Sequence, residues 1–330
     1  MKKTTTITLI IIITLLLTGC NLIKKTGPTD KTKGELITPT EAQIHKGTKG
    51  LTIEFVKGQP PASTWENIEF PIIVRIQNEG AHDIQRGLLA ITGGLYFIAD
   101  QKINFGLEGK SEFNPEGGFS FEKFPATTGT VESDKTDTFF VIACYEYKTY
   151  GSATICINPR IMEEDNLPRG ECKTGTVTLS GGQGAPIAVT KIEQEIIPIG
   201  ENTLKMNLKI HVSNQGGGKA ITKERDAYMK DCTGQPLTTD ELGKITVDQI
   251  MFSNYRLGSI QAGITCINLK EDKTFVLDKT GQYIIDCYAE MDPASIGSAA
   301  FTTPLLIELS YGYSQTSSSK SITIKNTAET

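Results

Sequence analysis

The sequence has little of the material from which most catalytic and metal sites are built. Its three histidines, His45, His82 and His211, are scattered, and no Cys-x-x-Cys or His-x-x-x-His spacing of zinc ligands occurs. No Gly-x-Ser-x-Gly motif is present, and no serine or cysteine has a histidine at the separation typical of a nucleophile and its base. We therefore predict no catalytic residue, no metal site, no cofactor and no enzymatic activity.

The chain also lacks a basic block and an aromatic-basic stripe, and its formal net charge is −5, so nucleic acid is not an expected partner. Helical periodicity is scarce, and residues 223–230 are the best short helical candidate. A content of 38% hydrophobic and 22% charged residues is typical of a globular chain rather than a disordered one.

The N-terminus carries the pattern of an export signal. Lys2 and Lys3 precede an apolar stretch that is too short for a comfortable membrane span, and the small residues Thr18 and Gly19 follow it. The stretch Leu-Thr-Gly-Cys that ends at Cys20 resembles the lipobox of prokaryotic lipoproteins. This resemblance implies cleavage before Cys20, a lipid on its thiol, and a mature protein held on the cell membrane and exposed at the cell surface.

The number of cysteines agrees with this interpretation. The chain has seven, and an odd number in an exported protein leaves one thiol unpaired. Assigning Cys20 to lipid leaves an even set of six, which suits an oxidising compartment: Cys144, Cys156, Cys172, Cys232, Cys266 and Cys287.

Two segments recur in the same order, which indicates a duplicated domain. Alternating apolar residues from Phe70 and from Leu204 each lead to an Asn-x-Gly turn, at Asn78 and at Asn214. A second pair of segments, each containing Tyr-x-Tyr, begins at Phe139 and at Leu305. The members of the second pair lie further apart in the chain than those of the first. The second copy therefore contains an insertion, which we place within residues 219–258.

Period-two alternation between turn signals predicts an all-β fold of two antiparallel sandwiches. The strand pattern, the Asn-x-Gly turns and a Tyr-x-Tyr hairpin in each copy resemble the immunoglobulin-like and cell-adhesion-related domains of prokaryotic surfaces. With the lipobox and the Gly-Gly-Gln-Gly-Ala-Pro run, they resemble surface lipoproteins of archaeal lineages. We predict these parts: a signal peptide (1–19), a lipid anchor and flexible tether (20–50), sandwich one (51–158), a disulfide-containing linker (159–185) and sandwich two with the insertion (186–326).

The cysteines allow specific pairings to be predicted. A hairpin with its loop at residues 149–151 would set Cys144 opposite Cys156, and the close competitor of this pair is Cys156–Cys172. Cys266 and Cys287 stand on apolar faces of separate strands, similar to the inter-sheet bridge of immunoglobulin domains. Cys172 and Cys232 then pair by elimination.

The glycine run between the two copies does not indicate a phosphate-binding site. The glycine run at 181–184 precedes a strand-like segment rather than a helix, so it predicts a flexible interdomain turn and not a phosphate loop.

We expect a non-enzymatic role in adhesion, display or envelope organisation, with contact to membrane lipid through Cys20 and to a surface protein or glycan. The insertion would make this contact, or else would be a hairpin that covers a sheet edge. Alternatives are a solute-binding lipoprotein that serves a transporter and a secreted hydrolase.

Overall fold

The computed structural model of the protein describes residues 44–99, 102–161, 172–200, 202–297 and 299–329. Cys20, the lipobox and most of the predicted tether lie outside the described residues. The first half contains these strands: β1 Leu51–Phe55, β2 Ser63–Trp65, β3 Glu69–Asn78, β4 Ile84–Gly93, β5 Phe97–Ile98, β6 Ile103–Leu107, β7 Phe119–Thr128 and β8 Lys135–Ile157. The second half contains these elements: β9 Thr176–Thr178, β10 Ile187–Gly200, β11 Thr203–Asn214, β12 Lys219–Ile221, α1 Arg225–Cys232, β13 Lys244–Phe252, β14 Tyr255–Leu257, β15 Gly263–Cys266, β16 Thr274–Val276, β17 Gln282–Met291, α2 Pro293–Ile296, β18 Phe301–Thr316 and β19 Lys320–Lys325.

The prediction of an all-β fold is confirmed, because strands dominate the described residues. Every second residue of β3 from Phe70 to Ile76 is buried, as the period-two pattern predicted. The same alternation runs along β11 from Leu204 to Val212. Helix α1 overlaps the segment 223–230 that sequence periodicity favoured.

The strands of the described residues form a four-stranded sheet in the order β1-β3-β7-β5 and a long, branched second sheet. Within the long sheet, β10-β11-β17 repeats the arrangement β1-β3-β7. The registers agree: Ile72 of β3 lies opposite Phe124 of β7, and Leu208 of β11 lies opposite Cys287 of β17. The sequence repeat is therefore also a repeat of strand pairing.

Equivalent tyrosines make equivalent hydrogen bonds in the two repeats. The Tyr145 hydroxyl accepts a hydrogen bond from the backbone N–H of Leu51 at 3.1 Å. The Tyr311 hydroxyl, at the matching position of the second repeat, accepts one from the N–H of Ile187 at 3.3 Å. Both tyrosines are fully buried, and burial raises the pKa of each well above its usual value. Each tyrosine thereby fastens the first strand of its repeat.

The second tyrosine of each motif holds the Asn-x-Gly turn. Tyr147 donates a hydrogen bond to Asn78 Oδ1 at 3.1 Å, and Tyr313 donates one to Asn214 Oδ1 at 3.0 Å. Gly80 has to be glycine here, since a Cβ at this position would lie 1.9 Å from the Tyr147 oxygen. The Asn-x-Gly and Tyr-x-Tyr motifs therefore form one unit in each repeat.

The predicted Tyr-x-Tyr hairpins are wrong, because each motif lies in a long strand that crosses the molecule. Strand β8 runs without a turn through residues 149–151, and it pairs antiparallel with β18 from Ile142 to Ile157. Tyr145 lies opposite Tyr313 and Tyr147 opposite Tyr311. In the sequence repeat Tyr145 is equivalent to Tyr311 and Tyr147 to Tyr313, so a local twofold axis between the two strands relates the motifs. We call β8 and β18 the central strand pair.

The two repeats share strands at their ends. Strand β19 continues past the end of β18 along β8, with Lys320 opposite Phe139. Glu66 of the first repeat then accepts hydrogen bonds from the backbone and side chain of Thr327. The described residues consequently belong to one compact unit. The boundaries 51–158 and 186–326 mark repeats of sequence, whereas β8 and β19 each extend into the other half.

The disulfide prediction is confirmed for one pair and wrong for two. Cys266 and Cys287 are joined, with Cα atoms 3.9 Å apart, but they lie opposite each other in neighbouring strands of one sheet rather than between sheets. The other bridges are Cys144–Cys232, with Cα atoms 5.9 Å apart, and Cys156–Cys172, with Cα atoms 5.7 Å apart. The predicted pairs Cys144–Cys156 and Cys172–Cys232 do not form.

The straight course of β8 explains these corrections. The extended chain between Cys144 and Cys156 spans about 40 Å, far beyond disulfide reach. Thr149, where the loop was predicted, donates a hydrogen bond to Ile187 O at 2.6 Å and shares a second with the Tyr311 hydroxyl at 2.9 Å. Pairing with β18 satisfies the backbone of this segment, so no turn is needed.

Candidate cleft between the repeats

A cleft of about 800 Å³ opens on the outer face of the central strand pair, opposite the buried tyrosines. Its floor consists of Tyr150 and Ser152 of β8 and Leu306 and Glu308 of β18, with Gln249 of β13 beside them. Residues 178–183 and the segment 45–46 form its walls. Its volume lies within the range of roughly 300–1,000 Å³ that is usual for small-molecule sites.

Hydrogen bonds fix the walls of the cleft. The N–H of Gly47 donates to Gly181 O at 2.6 Å, and the N–H of Gly184 donates to Gly47 O at 2.8 Å. The buried Gln183 side chain donates to Val189 O at 3.0 Å and accepts from the Val189 N–H at 2.8 Å. The predicted interdomain turn is therefore a loop tied to its surroundings. Residue Gly47, within the predicted tether, is hydrogen-bonded to this loop.

Four charged side chains form a balanced cluster beside the floor. Lys148 donates to Glu308 at 2.8 Å and lies 3.8 Å from Asp248, and Lys223 lies 3.2 Å from Asp248. The hydrogen bond to Glu308 raises the pKa of Lys148. Two carboxylates and two ammonium groups leave the cluster without net charge.

Tyr150 and Leu306 present apolar surface at the floor, since each side chain is 40% exposed. Tyr150 lies opposite Glu308 in the strand register, and its ring centroid is 6.0 Å from that of His82. Partial burial raises the pKa of Tyr150 and lowers that of His82. On the wall, the buried Nδ1 of His45 has no hydrogen-bond partner among the described residues.

The equivalent surface on the other side of the twofold axis is only partly covered, because Phe140 and Thr316, the equivalents of Leu306 and Tyr150, are exposed. There the first repeat has Ile142 and Cys144 where the second has Glu308 and Ser310. Helix α1 covers this apolar surface and is held by the bridge from Cys144 to Cys232. Helix α1 therefore covers the positions equivalent to Glu308 and Ser310, and the two outer surfaces differ most at these positions.

The insertion, placed within residues 219–258, includes this helical cover over a sheet face, and its strand β12 pairs with β18. A smaller cleft of about 370 Å³ lies between α1 and the first repeat. Its lining is mostly charged and includes Arg86, Glu146, Lys148, Lys223 and Arg225. Contact with a partner through the insertion stays a prediction.

The structure places the histidines at separate positions. His45 borders the large cleft and His82 the small one, whereas His211 pairs with Glu193 at 2.9 Å on the surface of β11. The six described cysteines are all in disulfides, and the predicted lipid site Cys20 lies outside the described residues. Sequence reasoning missed Tyr150 and Glu308, because nothing local indicates that distant segments converge on them.

Comparison with known proteins identifies no family for this chain. No family model and no curated protein sequence matches this chain. Within the described ranges, no helix is both long and apolar enough to cross a membrane. Across those same residues, no group of three or more histidine, cysteine, aspartate or glutamate side chains is placed to hold a metal ion.

Proposed function

We propose that the protein is a lipid-anchored surface protein that works by binding, with adhesion, display or envelope organisation as its role. The observation that carries this proposal is the pairing of Cys144, Cys156, Cys172, Cys232, Cys266 and Cys287 in three disulfides. Such bridges persist in oxidising compartments. Cys20 is then the single cysteine left over, and it stands at the end of the predicted export signal.

The finer fold assignment belongs to the same proposal. We propose that each repeat is an immunoglobulin-like sandwich. Aromatic contacts between facing strands support this: the Phe55 and Phe97 rings pack edge-to-face on Phe139 at 5.7 and 5.0 Å. Phe55 and Phe97 belong to the four-stranded sheet and Phe139 to the long one.

Membrane attachment can be tested by expressing the full chain and the variant Cys20→Ala in a host that processes lipoproteins. We expect the parent to partition into membranes and to carry a mass increment on its N-terminal peptide, and the variant to lose both. One lipid chain gives marginal anchoring and two give stable anchoring, so the loss should be nearly complete. A variant that partitions like the parent and is cleaved at the same bond would contradict the assignment.

The binding role can be tested by recovering partners from an envelope fraction of the source cells on immobilised full-length protein. Recovery of a defined protein or glycan, competed by soluble protein, is the expected result. A parent protein that retains no envelope component above a heat-unfolded control would refute the role.

A second candidate is a solute-binding lipoprotein that delivers a small molecule to a transporter. The volume of the cleft, about 800 Å³, favours it. The two candidates separate in a competition experiment. A low-molecular-weight fraction of the growth medium should saturate the cleft of a solute receptor without affecting retention of envelope components.

A further inference from the structure

We infer that the cleft binds a neutral oligosaccharide, with one sugar ring lying on Tyr150. This inference rests on the proposed binding function and names the ligand class of the site. It follows from three features of the cleft: its exposed ring, the pairing of the charges at its floor and its polar side chains.

The floor offers apolar and polar surface side by side. The ring of Tyr150 is 40% exposed, and the neighbouring Leu306 is exposed to the same extent. A sugar ring has a face of C–H groups that packs on such surface, while its hydroxyl groups lie at the edge. Glu308, Gln249 and Ser152 stand around this surface with oxygen and nitrogen atoms that can bond hydroxyl groups.

Charge balance selects against a charged ligand. Glu308 is the acidic group on the floor, and Lys148 already neutralises it at 2.8 Å. Lys46, the other fully charged lining residue, is exposed on the wall, where water and salt screen its charge. Asp248 is likewise paired with Lys223 at 3.2 Å. An anionic or cationic ligand would gain little net Coulomb attraction and would lose its hydration, whereas a neutral polyhydroxyl ligand avoids that loss.

The site is built for a ligand larger than one ring. Its volume of about 800 Å³ exceeds what a monosaccharide fills, and the walls at 45–46 and 178–183 are held by backbone hydrogen bonds before any ligand arrives. A preformed wall lowers the ordering cost of binding. The polar Glu308 lines this cleft, whereas the equivalent position on the other side of the twofold axis is Ile142, which α1 covers.

The test uses full-length protein in a detergent without sugar head groups. Neutral glucose, galactose and mannose oligosaccharides are titrated by calorimetry and by saturation-transfer NMR, with sialylated and glucosamine oligosaccharides as charged comparators. We expect at least one neutral series to bind, and to bind more tightly than either comparator. Absence of binding by every neutral series, or tighter binding of a charged one, would overturn the inference.

Substitutions assign the binding to the cleft. Tyr150→Ala should weaken binding at least about tenfold, and Tyr150→Phe, which keeps the ring, should change it less than about threefold. Phe121→Ala is the matched control, because Phe121 is 59% exposed on β7 and away from the cleft. Equal binding by Tyr150→Ala and the parent would refute the site. If the parent still retains envelope components, only the sugar inference fails and the proposed function stands.

Discussion

The repeated Tyr–Asn unit allows one interaction to be tested twice in the same molecule. Tyr147 bonds Asn78 and Tyr313 bonds Asn214 with nearly equal distances, 3.1 and 3.0 Å. The surroundings differ, however: Asn78 is fully buried, whereas Asn214 is partly exposed. The substitutions Tyr147→Phe and Tyr313→Phe remove the same oxygen from these two settings.

The expected magnitudes follow from what each substitution leaves unpaired. Without its hydroxyl, Tyr147 no longer bonds the buried Asn78, nor the N–H of His82 at 3.3 Å. Asn78 Oδ1 keeps its hydrogen bond from the Gly80 N–H at 3.2 Å, whereas the His82 N–H loses its partner. A buried polar group without a partner costs about 1–3 kcal/mol, so we expect Tyr147→Phe to reduce the free energy of unfolding by about 2 kcal/mol. At Asn214 water can replace the hydroxyl, so Tyr313→Phe should cost about 1 kcal/mol or less.

Urea unfolding of the oxidised protein, followed by circular dichroism, measures both values. An unchanged dependence on urea would show that the folded and unfolded states keep their compactness. Tyr150→Phe is the control, because the residue is exposed, and it should stay within about 0.5 kcal/mol of the parent. A larger loss for Tyr313→Phe than for Tyr147→Phe would refute the argument from burial.

Two further predictions concern the disulfides and alkaline pH. Replacing Cys144 and Cys232 by alanine opens a loop of 88 residues and should lower the free energy of unfolding by about 4.6 kcal/mol. Replacing Cys266 and Cys287, which are 21 residues apart, should lower it by about 3 kcal/mol. The reverse order in urea unfolding would contradict the ranking by loop entropy. Burial raises the pKa of Tyr313 to about 12, so the unfolded chain releases this proton near pH 10 while the folded chain retains it. The free energy of unfolding should therefore be constant below pH about 10 and fall as the pH rises towards 12. The fall should be steeper in the parent than in Tyr313→Phe. A urea midpoint that does not change across this pH range would disprove the raised pKa of Tyr313.

The repeat itself could be found from sequence because its markers are chemically demanding. Asn78 and Asn214 each bond a tyrosine and a turn, and Gly80 tolerates no side chain, so few residue types fit these positions. Alternation along β3 and β11 likewise follows from one buried face. These features depend on residues that are close together in the chain, so the sequence pattern alone predicts them.

The pairing of β8 with β18 could not be predicted from local sequence patterns. Residues 149–151 contain Gly151 and suit a turn, but Gly151 lies within a strand, where an added Cβ would lie 3.1 Å from Val189 Cγ2. Whether the segment turns back or continues depends on the presence of β18, which belongs to the far end of the chain. The disulfide errors and the unforeseen cleft both follow from this single long-range pairing.

The twofold relation gives a reason to look for function in what breaks it. A symmetric pair of repeats would present two equal outer surfaces on the central strand pair. Here the surface around Ile142 is apolar and covered by α1, while the surface around Glu308 is polar and walled by residues 178–183. A cover over apolar side chains is explained by stability alone. The wall at residues 178–183 has a structural role of its own, because the buried Gln183 side chain bonds the backbone of Val189. It nevertheless leaves the apolar surface of Tyr150 and Leu306 exposed at the floor, whereas folding alone favours burial of such surface. The cleft is therefore the part of this molecule where binding should be sought first.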